Sequence, residues 1–527
     1  MHTKFFLILI LIFIMISNLI FPQKTYYVSA SGKDQNTGLS PNAAFLTLQH
    51  AADFVAAGDS VIVLEGNYTG FDIRTSGTES LPIVFKAANQ NVVIDQHNYK
   101  TNDGINIENA DRIVIDGFKV INQPRSGIRI AVSDFVVIKN NYCTSNNTWG
   151  IFTGFTNDLL IENNTCSYSA QQHGIYVSNS GDRPIVRNNE CFNNTGCGIQ
   201  LNADVSQGGD GIISNAVIEG NVLHDNGTGG GSAINLDGVQ NSVIYNNLIY
   251  NNHATGIALF MIDGAEGSKN NKVYNNTIIN PQDSRWAMLV NSGSTGDTLY
   301  NNIFINHHSF RGSISVDQSS LQNFFSDYNI VSDRLSNDDG ESNMSLADWQ
   351  KLGYDIHSNI AAPEDQLFVN YSTGDFHLLS GSQAVDAGTG LVSSVVTNDI
   401  ANVSRPRGNG FDIGAFEYSN AAGISSEQKI KGFELYQNFP NPFNPSTKIK
   451  YTISKTSFVN LKIYNALGQE ISTLVNGEQF SGTYEVEFSL NSNLISGRKH
   501  AGHANGIYFY RLTAGSFSST KKMILLK

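Results

Sequence analysis

The sequence is poor in several residue types, and each shortage argues against a class of protein. Only 15% of its 527 residues are charged, and 46 acidic residues against 33 basic ones give a net charge of −13. So few cations leave too little positive charge to neutralise a nucleic-acid backbone. The four cysteines include no Cys-x-x-Cys pair, which argues against a zinc site. We therefore expect no nucleic-acid partner and no cysteine-bound metal.

Long apolar runs are missing everywhere except at the N-terminus. There the residues after Lys4 stay apolar as far as Phe21. A short basic start followed by such a run predicts a signal peptide over residues 1–23 that is removed on export. An uncleaved membrane anchor is the alternative, although the run is short for a full span. No cysteine follows the run, so we do not expect a lipid anchor.

Glycine and asparagine are abundant, and both take part in a repeat. A Gly-Ile pair or a close variant recurs along the chain, and its first four spacings are 23, 23, 24 and 24 residues. The pairs begin at Gly104, Gly127, Gly150, Gly174, Gly198, Ala233, Gly256 and Ala287. A repeat of this length with short strands predicts a coil in which each rung stacks its strands in parallel on the rung below.

A second marker of the repeat is an Asn-Asn pair at the end of a short apolar strand. Asparagine at a fixed corner tolerates a left-handed turn and can bond its amide to the asparagine of the next rung. Cys143, Cys166 and Cys191 each follow such a pair by two residues, where later rungs carry Leu223 and Ile249. We interpret the three cysteines as free thiols in the core. A disulfide between stacked rungs is the alternative.

Motifs at both ends of the repeat resemble a known group of proteins. The motifs are YYVSASGKDQNTGLS at Tyr26–Ser40, GDSVIVLEGNY at Gly58–Tyr68, FHLLSGSQAVDAG at Phe376–Gly388 and FDIGAFEY at Phe411–Tyr418. The first two resemble the N-terminal cap of secreted β-helix proteins, which include polysaccharide lyases. The last two resemble the closing segment of surface-anchored bacterial β-helix proteins. The resemblance implies a right-handed parallel β-helix over residues 24–418 with a cap at each end.

The last part of the chain resembles a different family. Residues 419–432 are small and polar, as in a linker. Beyond them, LYQNFPNPFNPS at Leu435–Ser446, VNLKIYNALG at Val459–Gly468 and GIYFYRLTAG at Gly506–Gly515 predict a small β-sandwich over residues 433–527. These motifs closely resemble the type A sorting domain of the type IX secretion system. The resemblance implies that the secretion machinery recognises this domain, and that the protein is secreted or attached to the outer surface of a Gram-negative bacterium.

The predicted fold is therefore all-β, a right-handed parallel β-helix with rungs of about 23 residues followed by a small β-sandwich. Strand alternation then identifies one polar face. The Ile of each Gly-Ile pair and the residue two later are apolar and should point inward, so the residues between and after them should point outward. Amides, an acid and a tyrosine fill these positions and suit a hydroxyl-rich sugar, whereas a merely solvated face would carry more Lys and Glu. The outward residues are Arg129, Tyr176, Ser178, Gln200, Asn202, Asn235 and Asp237.

Long insertions follow this strand in the central rungs. Insertions in solenoids usually build the binding surface. They should bring several acidic residues, with Arg183, close to the polar face: Asp182, Asp204, Asp210, Asp263 and Glu266. We predict that Asp204, Asp210 and Asp263 provide oxygen ligands for Ca²⁺, the one cofactor that the sequence suggests. An acid and base pair for glycoside hydrolysis is one alternative, and simple Asp-Gly turns are the other.

The predicted proton-transfer group is His173 or Tyr176. A His and Tyr pair suits removal and return of a proton at a uronic acid. Alternation alone would point His173 into the core, in a column with Trp149, Cys197 and Trp286, so a core or corner histidine is an equal alternative. No lysine stands on the polar face, which weakens the analogy with lyases that use a lysine base.

The remaining predicted site residues would bind the sugar. Arg183 or Arg129 would neutralise a substrate carboxylate, and Asp237 would act as an acid or a calcium ligand. Gln200, Asn202 and Asn235 would hold hydroxyl groups. We predict a carbohydrate-active protein, preferably a lyase or epimerase of an acidic polysaccharide, that acts as a monomer. A non-catalytic glycan-binding or adhesive surface protein is the main alternative, and a glycoside hydrolase is the second.

Overall fold

The computed structural model describes residues 23–179, 181–419, 434–438, 440–453, 457–479, 482–489, 506–515 and 517–525. Nearly all of the predicted signal peptide and linker lies outside these ranges. The chain divides into two compact units, residues 1–419 and residues 420–527. Within the described ranges, no helix is both long enough and apolar enough to span a membrane.

The first unit is a right-handed parallel β-helix built from three sheets. Each complete rung gives one short strand to each sheet. Sheet 1 contains Thr25–Val28, Ser60–Val63, Ile83–Ala87, Ile113–Asp116, Val137–Lys139, Leu160–Glu162, Ile185–Arg187, Val217–Glu219, Val243–Tyr245, Lys272–Tyr274, Thr298–Tyr300 and Phe325–Asp327. Sheet 2 contains Gly66–Thr69, Val92–Gln96, Lys119–Ile121, Tyr142–Thr144, Thr165–Ser167, Glu190–Phe192, Val222–His224, Leu248–Tyr250, Thr277–Asn280, Ile303–Asn306, Ile330–Val331 and Asn359–Ile360. Sheet 3 contains Phe71–Ile73, Ile105–Glu108, Ser126–Ala131, Trp149–Gly154, Ile175–Ser178, Ile199–Asn202, Ser232–Asp237, Thr255–Phe260, Met288–Val290, Ile314–Val316 and Leu335–Ser336.

The core follows from the apolar half of each strand. Ile128 and Ile130 of sheet 3 are fully buried, as their alternation predicts. In sheet 2, Cys143 pairs in register with Cys166, and Cys166 pairs with Cys191. All three are buried free thiols, so the predicted inward column is confirmed.

The Asn-Asn pairs have the structural role that the sequence predicts. The first asparagine of a pair provides the left-handed turn; Asn140, for example, has φ of 57°. The second stacks on the next rung. The backbone and side-chain nitrogens of Asn141 both donate to Oδ1 of Asn164, at 2.9 and 3.0 Å. The same two bonds recur from Asn164 to Asn189, so a continuous ladder satisfies polar groups that the coil buries.

Both ends of the coil are covered. A helix at Leu48–Phe54 packs near the first rungs, and helices at Leu346–Lys351 and Glu364–Leu367 lie near the last. A short antiparallel hairpin, Phe368–Asn370 with Asp375–Leu378, follows. A further two-stranded pair, Ile213–Ser214 with Val239–Gln240, lies in the central rungs.

The second unit consists of two antiparallel sheets. One contains Glu434–Leu435, Ser446–Ile453 and Gly482–Ser489, and the other contains Ser457–Asn465, Glu470–Gln479, Gly506–Ala514 and Phe517–Leu525. Fully buried residues of both sheets, among them Tyr451, Leu461 and Tyr510, form one shared core. The predicted β-sandwich is confirmed.

Candidate functional site

One column of outward residues runs along sheet 3 from the first rungs to the last, and we call it the ladder. Its members pair in register across neighbouring strands and alternate with buried core residues, so they share one face. They are Asp72, Asn106, Arg129, Phe152, Tyr176, Gln200, Asn235, Ala258, Leu289 and Ser315. Asn202 and Asp237 pair in the adjacent outward column. The structure therefore places Tyr176 and Asp237 on the same face.

A bend before sheet 3 adds a further outward position. A Cβ placed on Gly150 would lie 2.6 Å from the carbonyl oxygen of Gly174 and 3.0 Å from Cβ of Cys166, so this position faces the interior. The residue before it consequently turns outward. The ring of His173 makes an edge contact with the ring of Tyr176, with centroids 5.2 Å apart. The prediction that His173 points into the core is thus wrong, because the bend shifts the alternation of inward and outward side chains by one residue.

Four rings form an aromatic cluster on this face: Trp149, Phe152, His173 and Tyr176. Trp149 lies 4.6 Å from Phe152 and 5.9 Å from Tyr176 between ring centroids. All four side chains are half-buried. Nε1 of Trp149 is buried without a hydrogen-bond partner in the described part of the chain. The cluster combines flat apolar surface with a hydrogen-bond donor, the indole N–H of Trp149, that is unpaired among the described residues.

The surroundings of His173 fix its protonation. Its Nδ1 accepts a hydrogen bond from the backbone N–H of Cys197 at 2.9 Å, so in the neutral ring the proton is on Nε2. Burial lowers the pKa of His173 to about 4, and the ring is therefore neutral at pH 7. His173 can donate a hydrogen bond from Nε2, but it is unsuited to removing a proton.

The side chains of Tyr176 and Asp263 both accept a hydrogen bond from the side-chain amide of Asn202. Nδ2 of Asn202 donates to the hydroxyl oxygen of Tyr176 at 3.3 Å and to Oδ2 of Asp263 at 3.0 Å. Burial raises the pKa of Tyr176 to about 12, and the nearby Asp263 adds to the effect. Tyr176 is therefore a protonated acid at neutral pH, whereas Asp263 is exposed and has an oxygen to spare.

Asp237 organises a loop. Its Oδ1 accepts from the backbone N–H groups of Ile262 and Gly264 at 2.9 and 3.1 Å, and its Oδ2 accepts from that of Asp263 at 2.8 Å. Burial nevertheless raises the pKa of Asp237. Both oxygens are engaged, so Asp237 positions Asp263 and is not a free acid.

The other predicted calcium ligands bond within their own turns. Oδ1 of Asp204 accepts from the backbone and hydroxyl of Ser206, and Oδ1 of Asp210 accepts from the backbone of Ile212. No group of three or more His, Cys, Asp or Glu side chains that could hold a metal occurs among the described residues. The calcium site therefore stays a prediction.

The two long insertions bond to each other beside the ladder. The backbone N–H of Val205 donates to the carbonyl of Asp263 at 3.0 Å, and that of Ala265 donates to the carbonyl of Gly211 at 2.9 Å. Side chains on the inserted loops include an exposed apolar residue, Ile262. The insertions thus form a wall along one edge of the face.

Gln200 and Asn235 keep their amide nitrogens available. Oε1 of Gln200 accepts from the thiol of Cys197 at 3.4 Å, and Oδ1 of Asn235 accepts from the hydroxyl of Ser232 at 2.9 Å. The described residues offer no acceptor to either amide nitrogen. Both side chains can therefore donate to a ligand hydroxyl, which is the role predicted for them.

The two predicted arginines lie in different places. Arg129 is on the ladder, where it donates to Oδ1 of Asn106 at 2.7 Å and pairs with Glu108 at 3.4 Å. Arg183 lies on the turn between sheets 3 and 1, and its guanidinium makes two bonds to Asp158, at 2.7 and 2.9 Å. Since Arg183 is engaged away from the ladder, we leave it out of the proposed site.

Three residues on the face were absent from the sequence prediction. Phe152 directly follows the pair Gly150-Ile151, so the marker itself could have identified it. The sequence predicts an inward position for Trp149, which is wrong, because Trp149 contacts Tyr176 on the outer face. Lys100 comes from the loop before the strand, and its Nζ lies 2.9 Å from Oδ2 of Asp72 on the ladder. No lysine occupies a position of the ladder itself, as the sequence predicts, but the loop brings the ammonium group of Lys100 to the end of the ladder.

Three family models match the chain. Residues 26–170 match the Pel9A-like, right handed beta helix region, residues 202–330 match the right handed beta helix region, and residues 437–526 match the secretion system C-terminal sorting domain. The chain is a β-helix protein with a type IX sorting domain. The sorting domain marks the β-helix protein for export and attachment to the cell surface.

Individual relatives are distant. Uncharacterized protein YwoF of Bacillus subtilis (strain 168) is 29% identical over 257 residues, which are 47% of this chain and 46% of that protein. The chain thus matches less than half of the length of this curated relative. The crystal structure of pectate lyase Pel9A superposes with a TM-score of 0.53 at 18% identity, covering 76% of this chain and 98% of that one. The complex of XylC with xylose gives a TM-score of 0.46 at 12% identity, covering 74% and 98%.

Proposed function

We propose that this exported β-helix protein binds an acidic polysaccharide across the outer face of sheet 3 and acts on it as a lyase or an epimerase. The observation that carries the proposal is the aromatic cluster beside the free amide donors of Gln200 and Asn235. Flat rings with a few well-placed polar groups are the usual composition of a ligand site. The Pel9A structural neighbour is a pectate lyase, which makes acidic polysaccharides the first to test.

The proposed chemistry needs two groups in opposite protonation states. Asp263 would take the proton next to the substrate carboxylate, and Tyr176 would donate a proton to the leaving oxygen or to the opposite face of the sugar. The amide of Asn202 would hold both groups in place. Nε2 of His173 would donate a hydrogen bond to the sugar, and Arg129, two rungs from Tyr176, would bind a carboxylate elsewhere on the same polysaccharide chain.

Glycan binding without turnover is the second candidate. His173 and Asp237, two of the groups first expected to move protons, are engaged in structural hydrogen bonds. Among the described residues at the aromatic cluster, Tyr176 and Asp263 remain for proton transfer. The same face would hold a polysaccharide equally well if neither of them reacted.

Trp149→Ala should weaken binding of pectate or alginate by about fivefold or more, since truncating an aromatic anchor in a ligand site costs about 1 kcal/mol or more. Binding is measured by affinity electrophoresis on a panel of acidic and neutral glycans. Tyr168→Phe is the control, because Tyr168 is exposed and contacts Phe192 of sheet 2. Unchanged binding by the Trp149 variant to a glycan that the wild type binds would remove the cluster from the site.

Tyr176→Phe should lower turnover by roughly a hundredfold while leaving glycan affinity within about threefold, because only the proton is removed. Ultraviolet absorbance of unsaturated products reports lyase action, proton exchange at the sugar reports epimerisation, and new reducing ends without absorbance report hydrolysis. Wild-type turnover in the variant would exclude Tyr176 as the acid. Binding of a glycan without any of the three products would favour the binding protein.

A further inference from the structure

A network of charged side chains lies at the N-terminal end of the ladder, outside the aromatic cluster. Asp72 has no exposed side-chain surface and accepts from Nε of Arg74 at 2.8 Å and from Nζ of Lys100 at 2.9 Å. Arg74 and Arg129 both pair with Oε2 of Glu108, at 2.8 and 3.4 Å. Three cations thus meet two carboxylates, and the network keeps one net positive charge on a protein of net charge −13.

The cations of this network keep donors for a ligand. The side chains of Arg74 and Lys100 are 43% and 56% exposed, whereas Asp72 is fully covered and Glu108 is 28% exposed. Arg74 and Lys100 therefore face solvent above Asp72, whereas Arg129, at 19% exposed, is more covered than its partner Glu108. An arginine fork has five N–H donors, and these contacts use only some of them.

The position of the network fits a chain that binds along the helix axis. Arg129 pairs in register with Phe152, and Phe152 pairs with Tyr176, so two rungs separate Arg129 from Tyr176. Two rungs correspond to roughly 10 Å. Rung spacing is comparable to the length of one sugar in an extended polysaccharide, so an anionic sugar at the network and a reacting sugar at Tyr176 would belong to one chain.

We propose that Arg74, Lys100 and Arg129 form an anionic subsite that holds a uronate carboxylate two to four rungs away from Tyr176. The inference rests on the proposed function. It adds the direction in which the polysaccharide lies on sheet 3 and the requirement that its sugars carry carboxylates. The bound chain crosses the strands of sheet 3, and its carboxylates are recognised away from the reacting sugar. Neutral glycans gain nothing from this end of the face.

The test uses the full exported chain and two matched ligands, an oligogalacturonate and the same oligosaccharide with methyl-esterified carboxyls. Arg74→Gln should weaken binding of the acid form by about fivefold at low salt, as expected for loss of one partly exposed charge contact. Glu108→Gln should strengthen it by about threefold, because the variant raises the net charge of the network. Neither variant should change binding of the methyl ester.

Opposite effects of Arg74→Gln and Glu108→Gln on ligand binding distinguish loss of a ligand contact from misfolding, because misfolding of the network would weaken binding in both variants. Arg187→Gln is the control, since Arg187 pairs with Glu162 on the outer face of sheet 1. Equal weakening by the control would overturn the subsite in favour of a general charge effect. Unchanged binding in both network variants, with Trp149→Ala still defective, would overturn the subsite and leave the proposed function intact. Failure of the wild type to bind either ligand would overturn both.

Discussion

Removal of residues 434–527 should abolish surface display and leave a folded β-helix inside the cell envelope. The sorting domain has its own core, which includes Tyr451, Leu461 and Tyr510, and the residues of the β-helix core all lie within residues 1–419. The truncation therefore removes the secretion address without opening the core of the coil. Cell fractionation and protease accessibility in a host with type IX secretion measure the effect, which we expect to be nearly complete.

A reciprocal fusion makes this prediction specific. Residues 434–527 attached to a periplasmic reporter should carry the reporter to the surface of the same host. The truncated body should keep the circular dichroism spectrum of a β-protein and a cooperative melt, which excludes misfolding as the cause of its retention. Normal surface delivery of the truncated chain would refute the sorting role of these residues.

The architecture was predictable because the same sequence pattern occurs in many successive rungs. Gly150 and the glycines at the same position of other rungs occupy the interior of the bend before sheet 3, where an added Cβ would lie close to the backbone of the next rung. Alanine replaces glycine in two later rungs, at Ala233 and Ala287. Asn141 and Asn164 bond directly to each other from consecutive rungs. Each constraint recurs at the period of the coil, so one sequence contains several independent observations of the same geometry.

The candidate site was predictable only in part, because it depends on features that do not repeat. Strict alternation placed Tyr176, Gln200 and Asn235 correctly on one face. It failed at Trp149 and His173, since the bend shifts the phase by one residue. No pattern in the sequence indicates that Lys100 reaches back from a loop to Asp72, because that contact depends on the path of the chain between rungs.

Side-chain roles were harder to predict than positions. Asp237 and Asp263 are both carboxylates near the ladder, and composition alone does not distinguish them. The structure does, because three backbone N–H groups engage Asp237 while Asp263 is exposed. Similarly, Nδ1 of His173 accepts from the backbone, which makes this histidine a donor. Such assignments depend on local hydrogen bonds that only a three-dimensional structure supplies.

Asp297 is a buried acid that occupies an asparagine position, and it should make the coil unstable at alkaline pH. Its Oδ1 accepts from the backbone and side-chain nitrogens of Asn271 at 2.8 and 3.1 Å, as an asparagine would. Its Oδ2, which stands where an asparagine has its amide group, is buried without a partner in the described chain. Burial raises the pKa of Asp297 to about 8. The folded state therefore holds a proton that the unfolded chain has already released above its ordinary pKa of about 4.

Asp297→Asn should consequently stabilise the β-helix, and the gain should grow as the pH rises. In the wild type, the free energy of unfolding is unaffected by ionisation of Asp297 below about pH 4 and decreases between about pH 4 and pH 8. Above pH 8 the decrease is complete and is on the order of 5 kcal/mol. The amide of the variant does not titrate, and it extends the row of stacked asparagines. Thermal melts at pH 4 and pH 9 should show similar midpoints for the two proteins at pH 4, and a higher midpoint for the variant at pH 9.

A second buried acid provides the contrast that makes this result interpretable. Asp355 is also fully buried, but its oxygens accept from Nδ2 of Asn329, the hydroxyl of Ser358 and Nε1 of Trp349. Asp355→Asn places an amide group against one of these donors and should destabilise the coil at pH 4. Burial also raises the pKa of Asp355, so the deficit of this variant should be smaller at pH 9. An Asp297 variant that melts like the wild type at pH 9 would mean that the buried carboxyl is hydrated or paired when it ionises. The difference between the two sites would then not lie in the unpartnered oxygen, and the alkaline instability would need another source.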